Sequence, residues 1–118
     1  MKAKICKDDQ SKFYGIRIDC PGCGDEDGPG AHVLPVHWLP NGMSESEGVA
    51  NKPHWTFNGN MDSPTFSPSI LSSYEQWVGT PKERKHVCHS FVTDGKIQFL
   101  SDCTHSLAGQ TVELPDLE

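Results

Sequence analysis

Proline and glycine recur along the whole chain, nine of one and eleven of the other in 118 residues, and no 3.6-residue apolar stripe runs beyond two turns. Proline removes a backbone donor and clashes with a helix interior, and glycine loses more backbone freedom there than any other residue. The chain is therefore expected to be mainly β, a small single-domain antiparallel fold over residues 1–118 with little helix. Only 35% of the residues are hydrophobic, so the apolar core is modest, and small domains of this kind usually carry an extra staple. Five Cys and six His supply the material for one.

The same composition excludes several roles. The longest mostly apolar stretch, residues 33–39, is too short and too interrupted to cross a bilayer. The amino terminus is basic but lacks the apolar core of a signal peptide. A net charge of −6 argues against nucleic-acid binding through phosphate contacts; residues 82–86, the one basic cluster, read as a solvated loop. An odd cysteine count without an export signal favours thiols as metal ligands in a reducing cytoplasm over disulfides.

Residues 12–19, with Tyr14, Ile16 and Ile18 alternating, read as a strand paired with residues 2–7. A Gly/Asp/Glu-rich turn over 21–30 leads to a strand near 31–39. Asp25-Glu26-Asp27 lacks a calcium-loop pattern and reads as solvated. Residues 40–53 have the composition of a mobile loop, and 115–118 of a tail. Pro64 and Pro68 exclude a central strand but suit an extended edge segment. Trp38, Trp55, Trp77, Phe57 and Phe66 are expected mainly in the core, although part of this set could line a groove. A hairpin spans 87–101. Its turn is either a two-residue Asp94-Gly95 loop, which gathers His86, Cys88, Cys103 and His105 on one face, or a three-residue loop pairing Val92 with Lys96. The second sorts Val87, His89, Phe91, Ile97 and Phe99 onto one face and is the preferred register.

Cys20-Pro21-Gly22-Cys23-Gly24 is the most specific motif. Two thiolates two residues apart can grip one ion where the backbone turns tightly, with proline setting the turn and glycine letting N–H groups approach sulfur. Zn²⁺ is the ion such a knuckle suits. A closed site needs two further ligands, and His32 and Cys88 are assigned, with Cys103 and His105 in reserve. The expected fold is thus zinc-stabilised. On the hairpin, His89 points away from Cys88 and joins Asp102, Cys103 and His105 in a second polar group. There His89 is a candidate general base, a second-site ligand or a hydrogen-bonded core residue. No Gly-x-Ser-x-Gly, Walker or His-Glu-x-x-His string occurs.

The strings Cys20-Pro-Gly-Cys23, Trp55-Thr-Phe-Asn-Gly59, Pro64-Thr-Phe-Ser-Pro-Ser-Ile70, Cys88-His-Ser-Phe-Val92 and Asp102-Cys-Thr-His-Ser-Leu-Ala-Gly-Gln-Thr-Val112 occur in this order. Together they resemble a family of small phage, prophage and bacterial proteins that often carry the automatic label "ammonia monooxygenase". The resemblance implies a phage-associated origin and a shared Cys/His site, supports Cys20, Cys23 and His32 as one group, and marks His89 and His105. The label itself fails, because that enzyme is a copper-dependent membrane assembly and this chain has no span. Relatives also occur near ubiquitin-like conjugation genes, an association that by itself assigns no reaction.

These observations lead to a zinc-binding, phage- or prophage-type accessory or interaction module in the host cytoplasm, with a protein partner sought along residues 54–70. No nucleic acid or membrane partner is expected. The alternative is a zinc-dependent hydrolase, peptidase- or amidase-like, with His89 or His105 beside an open metal position.

Overall fold

The computed structural model describes residues 1–25 and 28–117. It is mainly β, with no α-helix among the described residues. Three strands, β1 (Lys4–Lys7), β2 (Phe13–Asp25) and β3 (Gly28–Leu34), form an antiparallel sheet in the order β1-β2-β3. Five more, β4 (Thr56–Phe57), β5 (Phe66–Gln76), β6 (Arg84–Thr93), β7 (Lys96–Phe99) and β8 (Thr111–Glu113), form an antiparallel meander in that order. The only helical turn described is a 3-10 turn at Glu47–Val49. It lies in the segment 40–53, which is tied to β2 by Phe13 N–H donating to Ser44 and Ser46 N–H donating to Phe13. Glu26 and Asp27, expected as a solvated acidic loop, lie outside the described residues.

Strand alternation sends one side chain in two toward the space between the sheets. Ile16, Ile18 and Cys20 from β2 meet Phe66 and Ile70 from β5, Cys88 and Val92 from β6, and Ile97 and Phe99 from β7 in one buried cluster. Trp38 and Trp55 pack against it, and Phe57 lies stacked on Phe66 with ring centroids 5.0 Å apart. Trp77, expected in the core, is half exposed instead, beyond the end of β5 and beneath the Arg84 guanidinium.

Two expectations change. The hairpin closes through the two-residue loop: Thr93 pairs with Lys96, Val92 with Ile97 and Ser90 with Phe99. Asp94 and Gly95 have φ of +50° and +78°, the left-handed pair that a tight turn matching the strand twist demands. Ile97 and Phe99 therefore share the inner face with Cys88, and His89 shares the outer one with Val87 and Phe91. The segment around Pro68 also belongs to an internal strand, since β5 lies between β4 and β6. The ladder tolerates the proline because residues 67–69 bulge: Phe66 pairs with Val92, but Ile70 already pairs with Ser90.

Candidate active site and metal-capable cluster

The β2 ladder is interrupted between Cys20 and Gly24, so the Pro21-Gly22-Cys23 turn loops out of register with β3. This brings Cys23 Sγ within 3.6 Å of His32 Nε2. From the other sheet, β6 carries Cys88 Sγ to 3.6 Å from Cys20 Sγ. The four ligand atoms of Cys20, Cys23, His32 and Cys88 all lie within 4.8 Å of one another, a group that could hold a metal ion. All five cysteines are free thiols.

The electrostatics of the cluster match that chemistry. Hydrogen bonds from Cys23, then from Cys88, hold the Cys20 thiol far below the ordinary range despite its burial. Cys23 is pushed up to about 12, first by its bond to Cys20. Cys88 is raised as well, by Cys20, then Cys23, then burial. A dication bound here would favour the thiolate form of all three cysteines.

A second group, Cys88, Cys103 and His105, also brings its ligand atoms within 4.8 Å of one another. Two of its members are otherwise engaged. Cys103 Sγ accepts from His89 N–H and donates to His89 C=O, each at 3.2 Å, and His105 Nδ1 accepts from Leu107 N–H at 3.2 Å. Burial lowers the pKa of His105.

On the outer face of the meander, His89 joins two residues from different elements. Its Nε2 lies 3.0 Å from Ser69 Oγ and its Nδ1 3.1 Å from Asp102 Oδ2. The carboxylate can only accept, so it takes Nδ1–H, leaving Nε2 free to accept the serine proton. Each member has a local cause. Ser69 sits in the β5 bulge, and the Trp55 indole N–H holds its carbonyl at 3.3 Å. Strand alternation next to Cys88 turns His89 outward. Asp102 sits on a segment pinned to β6 by Leu100 N–H to His89, the Cys103 thiol, and Thr104 N–H to Val87. The site is open to solvent, with the Asp102 side chain 56% and the His89 side chain 25% exposed. Exposed Leu71, which pairs with His89, and exposed Phe91 flank it.

Of the two catalytic candidates read from the sequence, only His89 takes part in this arrangement. His105 lies inside, its Nε2 buried without a partner. The Asp102 side of the polar group was legible. Ser69 was not, because no nucleophile motif surrounds it and only a strand bulge aims it.

An open β surface bearing serine, histidine and aspartate in hydrogen-bonded sequence has the donor order of a serine hydrolase. In agreement with that class, residues 2–100 match the BubE family, described as "Bacterial ubiquitination-like system serine protease (BubE)", and the chain belongs to this family. The match corrects the kinship read from the sequence motifs: the family is not the phage group labelled "ammonia monooxygenase". No curated protein and no solved structure matches the chain. Among the described residues no helix is long and apolar enough to cross a membrane.

Proposed function

We propose that the chain is a serine protease of a bacterial ubiquitination-like system, with Ser69 as nucleophile, His89 as general base and acid, and Asp102 as the group that orients His89. The carrying observation is the pair of contacts at His89, 3.0 Å to Ser69 and 3.1 Å to Asp102. Ser69 Oγ attacks the carbonyl carbon of a peptide or isopeptide bond as its proton passes to His89 Nε2. Asp102 stabilises the resulting imidazolium at Nδ1. His89 returns the proton to the leaving amine as the C–N bond breaks, and the acyl group stays on Ser69. Water then attacks the acyl carbon and passes a proton to His89. Ser69 departs with that proton, and the product is a carboxylic acid. The exposed site, with Leu71 and Phe91 beside it, suits a protein substrate better than a small molecule.

The cluster of Cys20, Cys23, His32 and Cys88 is best read as a zinc site. Tetrahedral bonds of about 2.3 Å to sulfur and about 2.0–2.1 Å to nitrogen put S···S edges near 3.8 Å and S···N edges near 3.6 Å, against 3.6 Å for both contacts here. Four protein donors complete a structural shell, so zinc would supply bracing between the sheets, and catalysis stays with the serine site. The hydrolase part of the alternative read from the sequence is kept in this form, with His89 as proton carrier at the serine site on the face of β6 opposite Cys88. Free buried thiols suit a reducing bacterial cytoplasm.

The test is covalent labelling with a fluorophosphonate, followed by hydrolysis of a p-nitrophenyl ester. Wild-type protein should gain one label at Ser69, and Ser69→Ala should gain none. Asp102→Asn should retain the fold and lose on the order of 10⁴-fold in hydrolysis. Full labelling of Ser69→Ala would refute the assignment.

A further inference from the structure

We infer that His105 is a positioning residue of the metal centre, donating its Nε2–H to the Cys88 thiolate, and this inference rests on the metal reading of the cluster. Three observations lead there. The Nδ1 lone pair of His105 is taken by Leu107 N–H at 3.2 Å, so the ring is neutral and carries its proton on Nε2. That Nε2 is buried and has no partner among the protein groups. The ring is also held in place toward the knuckle. Phe99 meets it edge-on at 4.5 Å, His86 stacks on it at 5.8 Å, and a Cβ at Gly22 would come within 2.4 Å of its Cε1 and Nε2.

A buried N–H without an acceptor is costly, and two cysteine sulfurs lie close to the ring. A ring nitrogen of His105, Cys88 Sγ and Cys103 Sγ lie within 4.8 Å of one another. Cys103 Sγ is already shared between the His89 N–H and C=O. Cys88 is a thiolate once it binds a cation, which makes it a stronger acceptor than the Cys103 thiol. The rival role, His105 as ligand to a second ion between Cys88 and Cys103, requires a bare Nε2. That would move the proton to Nδ1 and break the Leu107 contact. The geometry therefore makes His105 a donor to sulfur. It also explains Gly22 in the knuckle, where any side chain would displace the ring.

The bond draws charge from the Cys88 sulfur and keeps the thiolate from taking a proton, which tightens the metal site. The experiment uses full-length protein loaded with cobalt(II) or cadmium-113. Wild-type protein should bind one ion. His105→Phe should still bind one, should lose about 10–100-fold in affinity against a chelator, and should shift the thiolate-to-cobalt charge-transfer band to lower energy. His105→Gln, which keeps an N–H donor, should recover part of both. In cadmium-loaded wild-type protein the Nε2 proton should exchange slowly and show scalar coupling to the metal through sulfur; this measurement holds even where a variant fails to fold. An Nε2 without a proton and coupled directly to cadmium, two ions per wild-type chain falling to one in His105→Phe, or unchanged affinity and spectrum in that variant would each overturn the proposal. A wild-type chain that takes up no ion would refute the metal reading itself, whereas a bound ion with no coupling at Nε2 refutes only the role of His105.

Discussion

Single side chains carry most of the chemistry proposed for this protein, and their partners decide what each can do. His89 and His105 are sixteen positions apart and were equal candidates by type. One meets a hydroxyl and a carboxylate at the surface; the other meets a backbone N–H and sulfurs inside. Asp8 shows how a surface carboxylate contributes to stability through partners alone. Its Oδ1 accepts from the Gln10 and Lys12 N–H groups at 2.9 Å each and closes the turn between β1 and β2. Its bond with Ser46, then the one with Lys12, lowers its pKa below 3.8. A depressed carboxylate stabilises the fold fully above its unfolded value and loses that contribution as pH falls through its folded value. Asp8→Asn should therefore melt earlier than wild type at pH 6, and the gap should close as pH drops below 3.8. A gap that widens in acid would contradict this.

At the scale of elements, the hairpin turn decides which face every residue of β6 presents. Apolar sorting alone favoured a three-residue loop, which would have put Ile97 and Phe99 beside His89. The actual pairing sends those two inward with Cys88, because Asp94 and Gly95 both accept positive φ. A Cβ at residue 95 would also lie 3.3 Å from Lys2 Cδ and Ser63 Cα. Gly95→Ala should cost about 1–2 kcal/mol, read as a lower urea midpoint with unchanged slope. The β5 bulge has a comparable effect on function. Residues 67–69 depart from the ladder, and the departure lets Ser69 reach the histidine of the next strand. Pro68 signalled irregularity in the sequence. That the irregularity would fall inside a sheet, beside a histidine twenty residues on, depended on pairing with β6.

Across the whole molecule, the buried apolar cluster and the metal-capable cluster both draw residues from the same two sheets. Cys20, Cys23 and His32 come from the three-stranded sheet and Cys88 from the five-stranded one. Replacing Cys20 and Cys23 together by Ser should abolish binding of one zinc per chain and lower the melting temperature sharply, as metal binding is coupled to folding. His89→Ala should keep the zinc, because it lies on the other face of β6. Elemental analysis and thermal melts check both, and zinc retained in the double variant would place the ligands elsewhere.

The mainly-β class and the Cys20-Cys23 knuckle were determined by the sequence alone, because proline, glycine and a two-residue cysteine spacing act over a few bonds. The serine-histidine-aspartate arrangement was decided by tertiary structure. Ser69, His89 and Asp102 approach one another only after a bulge, a strand register and a pinned turn have each been set, and hydrogen bonds across elements leave no local pattern in the chain.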